Sequence, residues 1–411
     1  MRVGGYRAKV LLSKALLLFG ALLLPSMAQA DCPPPQTAPP ADAFYFCFDG
    51  PKIGPQPIID GDKGPLIVAE VELNGHKLPA LLDTGAEISI VDSSVAKEIG
   101  LKTGAAATIT ALSGQQAPAQ KASIDQLVIG GFIRKGGIVA VADMGALRRA
   151  ARQRVAMALG ADVLSQVALF VDRDNLSLVV IPNNARANGA NWMAPLRVQQ
   201  PGNVIMTNLS VDGHPMTAKL DTGAEDELIL NETKWAEIVP SKARVTTLGG
   251  GDLAGSRIAR LVRFNDLRIG GKSIGDAIAT QVPSAPSTEL PDGVLGMGIL
   301  SRYNLFLNPQ AGVMVLTELK KPAAPRRETM VGIQGMPTDD GLAIMHVMAH
   351  SPAEAAGLKG GDRICTVDGQ TVRADWAGTA KNDWMTGPEG KTVVLGRCGG
   401  GSVKLTLRRF Y

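Results

Sequence analysis

Residues 74–87 read NGHKLPALLDTGAE, and residues 212–225 read DGHPMTAKLDTGAE. Nine of the fourteen positions are identical at an offset of 138 residues, and the matches continue downstream. LVIGG at 127–131 corresponds to LRIGG at 267–271, and LGADVLS at 159–165 corresponds to LGMGILS at 295–301. A repeat of this kind indicates two copies of one structural unit. We predict lobe 1 over 55–182 and lobe 2 over 195–320, joined by the polar, turn-rich segment 182–192.

Both copies have the sequence pattern of β-structure. The predicted order is a strand, an Asn-Gly or Asp-Gly hairpin turn, a second apolar strand that leads into Asp-Thr-Gly-Ala, and a short capped helix. These elements are 67–73, 74–75, 78–82 and 92–99 in lobe 1, and 204–211, 212–213, 216–220 and 231–238 in lobe 2. The 47 glycines and 26 prolines favour short strands and tight turns, so the predicted fold class is mostly β.

The first 30 residues have the pattern of a signal peptide. An apolar stretch at 15–24 follows a basic start and precedes Pro25 and the small-residue sequence Ala28-Gln29-Ala30. A membrane span needs about 20 apolar residues, so we expect removal of 1–30 and no membrane span afterwards. The predicted location is the periplasm, with full secretion as the open alternative.

Removal of this segment leaves a chain without net charge. The first 30 residues hold four basic residues and no Asp or Glu, so the rest of the chain carries 38 basic and 38 acidic residues. Nucleic-acid binding needs a basic surface, and this balance argues against it.

Four cysteines in an exported chain predict disulfide bonds. Sequence proximity favours Cys32–Cys47, which would tie a proline-rich leader over 31–54 to the body, and Cys365–Cys398 near the C-terminal end. The other pairings stay open. The sequence has no CxxC motif or Cys/His cluster, so we expect no structural metal site.

Asp83-Thr84-Gly85-Ala86 and Asp221-Thr222-Gly223-Ala224 each follow an apolar strand. Asp, Thr and Gly are common in turns, so the motif could be purely structural. A carboxylate directly after a buried strand costs desolvation energy, however, which favours a functional role. Together with the apolar-apolar-Gly segments at 158–160 and 294–296, these motifs resemble the aspartic proteases, specifically their retropepsin-like branch. The resemblance covers about 260 residues in both lobes.

This resemblance implies two closed β-barrel lobes related by a pseudo-twofold axis, with Asp83 and Asp221 as a catalytic dyad between them. Two carboxyls about 3 Å apart share one proton, so the ionised one activates a water while the protonated one donates to the substrate carbonyl. It also implies that two threonines hydrogen-bond across the lobes and that two glycines admit the close approach. These supporting residues are Thr84, Gly85, Thr222 and Gly223. The mechanism needs no cofactor and no metal.

The residue after each of these glycines departs from the pepsin-type pattern, which often has Ser or Thr there. Ala86 and Ala224 have no hydroxyl to donate to an ionised carboxyl. Loss of such a donor raises a carboxyl pKa. We therefore predict activity at a less acidic pH than that of pepsin-like enzymes.

Two segments are candidates for the β-hairpin flaps that cover the cleft in this family, 107–119 and 245–257, with plain exposed loops as the alternative. Neither holds the Tyr that pepsin-like flaps use. A further departure is the acidic run Glu225-Asp226-Glu227 after the second motif. It would perturb Asp221, favour basic substrate side chains, or simply be solvated.

Beyond a basic, proline-containing linker at 320–328, the segments SPAEAAGLKGGDRI at 351–364 and VDGQTV at 367–372 resemble the core of a PDZ domain. The resemblance covers about 330–411, and the predicted domain is 329–411. PDZ domains add a peptide C-terminus as an extra strand and hold its carboxylate in backbone amides. By analogy, those amides lie in Met330-Val331-Gly332-Ile333, with Val331, Gly332 and Ile333 as the named contacts. The alternative is a PDZ fold that only packs on the protease.

The sequence thus predicts an exported aspartic endopeptidase that acts on proteins or peptides and whose PDZ domain binds C-terminal tails. One alternative is a non-catalytic peptide-binding protein of the same fold. Another makes the lobes a dimerisation scaffold and the PDZ domain the working part.

Overall fold

The computed structural model describes residues 44–411 except 63, 112–114, 146, 149–153, 187–191, 201, 253–254, 282–290, 324–325, 327 and 378. The predicted signal peptide and Cys32 lie outside the described residues. The described chain is mostly β, as the sequence predicts. Among its described helices, none combines the length and the apolar character needed to cross a membrane.

The first part of the chain contributes thirteen strands, a 3-10 helix at Gly50–Lys52 and short α-helices, two of which have described bounds. The strands are β1 Phe44–Phe48, β2 Gln56–Pro57, β3 Val68–Leu73, β4 His76–Leu82, β5 Ile90–Asp92, β6 Thr103–Thr110, β7 Gln116–Ser123, β8 Gln126–Ile129, β9 Phe132–Gly136, β10 Ile138–Ala142, β11 Met157–Leu159, β12 Val167–Asp172 and β13 Ser177–Pro182. The helices are α1 Ser93–Glu98 and α2 Ala161–Leu164.

The second copy repeats the arrangement. Its strands are β14 Met193–Gln199, β15 Val204–Val211, β16 His214–Asp221, β17 Leu228–Leu230, β18 Thr246–Asp252, β19 Gly255–Phe264, β20 Leu267–Ile269, β21 Lys272–Ser273, β22 Ala277–Gln281, β23 Gly293–Gly296, β24 Tyr303–Asn308 and β25 Val313–Glu318. Its helices are α3 Glu232–Ile238 and α4 Met297–Leu300.

The hairpins and helices form where the turn and cap residues predict them. Asn74 and Asp212 take left-handed backbone conformations at the turns β3–β4 and β15–β16, with φ of 48° and 46°. Asp92 caps α1 by accepting a hydrogen bond from Ser94 N, and Asn231 caps α3 by accepting one from Lys234 N. Both predicted helices are therefore confirmed.

The pseudo-symmetry is visible in the sheet order. Strand β11 lies between β4 and β5, parallel to β4, and β23 lies between β16 and β17, parallel to β16. The outer strands follow in the same way, as β5-β10-β7-β6 in one copy and β17-β22-β19-β18 in the other. The hairpins β6–β7 and β18–β19 therefore end their sheets at equivalent positions.

The two copies are joined by shared strands as well as by the connecting segment. Strand β12 pairs with β24, and the order β14-β25-β24-β12-β13-β2 makes one sheet from both halves. One hydrophobic core includes buried side chains of both copies, among them Leu82, Leu164, Leu220 and Ile299. The halves therefore form one packed body.

Part of the predicted leader belongs to this body. Strand β1 pairs with β9, and β2 pairs with β13, so residues of the 31–54 segment and those just after it extend the sheets. Cys47 lies on β1. Its pairing with Cys32 stays a prediction because Cys32 lies outside the described residues.

The C-terminal part forms a separate domain with its own core, which includes Val331, Leu342, Ile364 and Leu395. Its strands are β26 Ile333–Thr338, β27 Gly341–Val347, β28 Arg363–Val367, β29 Gln370–Thr371, β30 Thr392–Arg397 and β31 Ser402–Thr406, with helix α5 Pro352–Ala355 and 3-10 helices at Ala374–Trp376 and Ala380–Thr386. Strand β26 is an edge of the sheet order β26-β27-β28-β30-β31. A disulfide joins Cys365 to Cys398, as predicted.

Candidate active site

The two Asp-Thr-Gly-Ala loops lie at the ends of the equivalent strands β4 and β16. Asp83 N donates to Leu159 O on β11, and Asp221 pairs with Gly296 on β23. Gly160 and Gly296 each lie against the backbone at the end of a motif and just after it. An added Cβ would lie 2.6 Å from the carbonyl carbon of Ile88 at Gly160, and 2.3 Å from the carbonyl oxygen of Asp226 at Gly296. The apolar-apolar-Gly segments therefore need glycine for packing.

Asp83 and Asp221 face each other across the boundary between the lobes. A Cβ added to Gly85 would lie 2.3 Å from Asp221 Cγ, and a Cβ added to Gly223 would lie 2.5 Å from Asp83 Cγ. Each carboxyl is also held by its own loop, because Asp83 Oδ1 accepts from Gly85 N at 2.9 Å and Asp221 Oδ1 accepts from Gly223 N at 2.8 Å. Both carboxyls thus contact both glycines, and any larger residue at either glycine would displace one of them.

Thr84 and Thr222 are buried and hydrogen-bonded across the lobes. Thr84 Oγ1 donates to Leu220 O at 2.7 Å, and Thr222 Oγ1 donates to Leu82 O at 2.6 Å. Each hydroxyl also accepts from the other threonine's backbone N–H at 3.0 Å. These four bonds fix the two motif loops relative to each other, which is the arrangement that the family resemblance implies for these threonines.

The environment of Asp83 changes the pKa of its carboxyl. Burial and the neighbouring Asp221 raise this pKa to about 7, while Lys219 and the N–H groups of Gly85 and Ala86 lower it. The main cause is desolvation, which the sequence does not reveal, and the effect of a missing hydroxyl at Ala86 on the pH of activity stays a prediction.

Lys219 is a site residue that the sequence analysis missed. It lies on β16, two residues before Asp221, and its Nζ donates to the carbonyl oxygen of Gly85 in the other lobe at 2.5 Å. The corresponding residue of lobe 1 is Leu81, which is fully buried. A lysine where the other copy has a leucine, seen when the two copies are aligned, was the signal that could have found it.

The acidic run after the second motif is not simply solvated. Glu225 is exposed, but Asp226 and Glu227 are partly buried. Thr280 Oγ1 donates to Asp226 at 2.8 Å, and Glu227 pairs with Arg302 and Arg326. Burial raises the pKa of Asp226, and the charge of Asp221 adds to that effect. Asp226 is therefore linked electrostatically to Asp221, and Glu227 forms ion pairs with Arg302 and Arg326.

Comparison with known families agrees with this geometry. A family model described as aspartyl protease matches residues 69–163 and 207–299, and a PDZ domain model matches residues 329–398. The two lobes thus match the aspartyl protease family, and the C-terminal domain matches the PDZ family. Among solved structures it is similar to a retropepsin-like aspartic protease from Rickettsia conorii, at 17% identity over 30% of this chain and 89% of that chain, with a TM-score of 0.24. A search of curated proteins found no match.

Both flap candidates are hairpins at the ends of their sheets. The 107–119 segment lies in β6–β7 and the 245–257 segment in β18–β19, with the tips at 112–114 and 253–254 outside the described residues. Ile258 on β19 is half exposed. Their role as flaps of this retropepsin-like cleft stays a prediction.

The predicted carboxylate loop of the PDZ domain precedes the edge strand β26. The N–H groups of Val331 and Gly332 both donate to Thr329 Oγ1, at 3.3 and 2.9 Å. Gly332 has φ of +77°, and a Cβ there would lie 2.2 Å from Ser351 Cβ. Glycine is therefore required for backbone conformation and packing, a reason separate from the close peptide approach that the sequence suggested. Ile333 lines a cavity beside the loop.

Proposed function

We propose that this chain is an exported aspartic endopeptidase that hydrolyses peptide bonds with Asp83 and Asp221, and that its PDZ domain binds protein C-termini. The observation that carries the proposal is the reciprocal contact of each carboxyl with the glycine of the opposite lobe. The match to the aspartyl protease family supports the reaction class. Substrates are extended peptides, and the reaction needs no covalent intermediate.

The two carboxyls take complementary roles in the proposed reaction. Two close carboxyls titrate as a pair and hold one proton between them at intermediate pH. The protonated carboxyl of the pair donates to the oxygen of the substrate carbonyl. The ionised carboxyl takes a proton from the attacking water. The cross-lobe threonine bonds keep both groups in place during this exchange.

Substitution of Asp83→Asn tests the endopeptidase proposal. The variant keeps the shape of the side chain but cannot supply a titratable proton. Removing one partner of a general acid–base pair lowers turnover by roughly 10²–10⁴-fold. We expect that loss when a peptide library is digested at several pH values, and inhibition of the unsubstituted chain by pepstatin-type compounds.

The matched control is Asp143→Asn, the same change at an exposed aspartate of lobe 1. It should retain full cleavage, and circular dichroism should show both variants folded. Undiminished cleavage by a folded Asp83→Asn variant would exclude the dyad mechanism. A folded unsubstituted chain that binds library peptides but cleaves none would favour the non-catalytic alternative.

We also propose export to the periplasm with cleavage after Ala30, supported by the apolar stretch at 15–24 and the Ala28-Gln29-Ala30 sequence. Mass spectrometry of the protein recovered from a periplasmic fraction should give an N-terminus at Asp31. A retained Met1 in the membrane fraction would contradict export in this form.

A further inference from the structure

The PDZ domain packs directly on hairpin β18–β19 of lobe 2. Gln334 on β26 makes two hydrogen bonds with one flap residue, because its Oε1 accepts from Gly249 N at 2.6 Å and its Nε2 donates to Gly249 O at 3.0 Å. This side-chain amide satisfies backbone groups of β18, which ends its sheet.

The adjacent threonines of β18 extend the contact. Thr246 Oγ1 donates to Ala349 O at 2.6 Å, and Ala349 N donates to Thr247 Oγ1 at 3.0 Å. Thr247 Oγ1 also hydrogen-bonds with His346 Nε2 at 2.9 Å. The hairpin is thus held by the beginning of β26 and by the end of β27, the same end of the domain at which the carboxylate loop lies.

A cavity of about 710 Å³ separates the two domains beside this contact. Its size lies within the range of ligand-binding pockets. The PDZ side contributes the elements that form a peptide groove, with Thr329, Ile333 and Gln334 near β26 and Asp383 and Met385 in the 3-10 helix at Ala380–Thr386. The opposite wall is lobe 2, where Leu248 and Leu261 of the hairpin and the acidic run Glu225-Asp226-Glu227 line the cavity.

The amides that would bind a carboxylate already have an acceptor. Thr329 Oγ1 accepts from both Val331 N and Gly332 N. A carboxylate oxygen accepts stronger, charge-assisted hydrogen bonds from such amides than a hydroxyl does. A peptide C-terminus entering the cavity would therefore replace the Thr329 hydroxyl. Its apolar side chains would contact Ile333 and Met385 on the PDZ side and compete with Leu248 of the hairpin for that space.

We propose that hairpin β18–β19 of lobe 2 obstructs the PDZ peptide site, and that an extended peptide with a free C-terminal carboxylate and apolar side chains displaces this hairpin when it binds. The peptide pairs with β26 and displaces Gln334 from Gly249. Release lets the hairpin move to admit substrate, so peptide binding activates cleavage. The activation rests on the proposed protease function, whereas the coupling between peptide and hairpin does not.

A disulfide between the domains tests this coupling. A Cβ at Gly249 would lie 3.3 Å from His346 Cβ, close to the roughly 3.5–4.5 Å spacing of disulfide-bonded residues. Gly249→Cys with His346→Cys should therefore lock the hairpin to the PDZ domain when oxidised. Gly250→Cys with His346→Cys is the matched control, since a Cβ at Gly250 has no atom within 4 Å.

Binding is measured first, in full chains that also carry Asp83→Asn so that no peptide is cleaved. The probe is the decapeptide that binds best from an array with free C-termini, labelled with fluorescein, and its C-terminally amidated form is the negative control. Coupling between sites typically changes affinity 5–150-fold. We expect oxidation to weaken binding of the probe at least 5-fold in the locked variant, reductant to restore it, and neither treatment to change binding in the Gly250 control.

Cleavage is measured next, in chains with Asp83 intact. The free-carboxylate decapeptide should raise kcat/KM for a second, internally quenched peptide at least 5-fold, and the oxidised lock should abolish that response. Equal binding by the oxidised and reduced locks, or equal binding of the amidated peptide, would overturn the coupling. Absence of any cleavage with coupled binding intact would instead refute the protease function alone.

Discussion

The two copies of the repeat differ at the residue two positions before each aspartate, which is Leu81 in lobe 1 and Lys219 in lobe 2. The ammonium of Lys219 lies against the Gly85 carbonyl and lowers the pKa of Asp83. Lys219 therefore places one positive charge beside the dyad that has no equivalent in lobe 1. This charge opposes the desolvation that raises the same pKa.

Substitution of Lys219→Leu, which copies lobe 1, should raise the pKa of Asp83 further. If Asp83 must be protonated for catalysis, the high-pH limb of the activity profile will move to higher pH. The measurement is kcat/KM for one peptide between pH 4 and 9. Lys77→Leu, at an exposed lysine of hairpin β3–β4, should leave the profile in place. A high-pH limb that moves to lower pH in the Lys219 variant would show that Lys219 does not act on Asp83.

Asp83 also links stability to pH. Its pKa is about 7 in the folded chain and 3.8 in an unperturbed carboxyl, so the unfolded state loses this proton first as pH rises. The folded state is therefore destabilised progressively between about pH 4 and 7, by up to about 4 kcal/mol for a shift of this size. This destabilisation of the folded state is fully present above about pH 7 and absent below about pH 4.

Asp83→Asn removes this titration. Urea unfolding should show the variant more stable than the unsubstituted chain at pH 8, by up to about 4 kcal/mol, with the difference shrinking toward zero at pH 4. A stability difference that does not change between these pH values would contradict a raised pKa for Asp83.

At the scale of elements, the two motif loops depend on the crossed threonine bonds. Thr84→Val keeps the shape of the buried side chain but leaves Leu220 O and Thr222 N without their partner. Each buried, unsatisfied group costs about 1–3 kcal/mol, so the two together should lower the free energy of unfolding by roughly 2–6 kcal/mol. Thr84→Ser retains the hydroxyl and should recover most of this loss. Equal destabilisation by Val and Ser would show that the methyl group, and not the hydrogen bonds, matters.

Local elements were the most predictable from sequence. Asn-Gly and Asp-Gly turns and the Asp92 and Asn231 caps determine hairpins and helices through short-range backbone chemistry, and the structure confirms them. Strand β24 pairing with β12 of the other half was not predictable, because both are apolar strands with no local partner signal. At Gly332 the sequence predicts close approach of a peptide, which stays a prediction, and the positive φ and the packing against Ser351 are further reasons for glycine that the sequence does not reveal.

The predicted linker at 320–328 shows the same limit. Its basic, proline-containing composition suggests a simple connector, yet Arg326 pairs with Glu227 and Asp276 of lobe 2, and Arg263 pairs with Glu328. The partners are 99 and 50 residues away in sequence, so no local pattern records them. The ion pair between Glu227 of the acidic run and Arg326 of the linker is visible only in the folded structure.

At the scale of the whole molecule, the main hydrophobic core spans both lobes, with smaller clusters beside it, and the PDZ domain has a core of its own. The lobes also share a sheet through β12 and β24, so they should unfold as one unit. The PDZ domain is held on the hairpin by hydrogen bonds that join Gln334, His346 and Ala349 to β18. Two separate thermal transitions are therefore expected for the full chain.

Reduction of the PDZ disulfide should identify which transition belongs to which unit. Cys365 and Cys398 are 33 residues apart, and opening a loop of that length removes about 3–4 kcal/mol of stabilisation by the chain-entropy model. Differential scanning calorimetry of the full chain with and without reductant should show one transition moved to lower temperature and the other unchanged. Cys365→Ala with Cys398→Ala should reproduce the shift without reductant, which controls for a contribution from Cys47. A single transition that moves as a whole would show instead that the PDZ domain and the lobes unfold together, and that the contact on hairpin β18–β19 is strong enough to couple them.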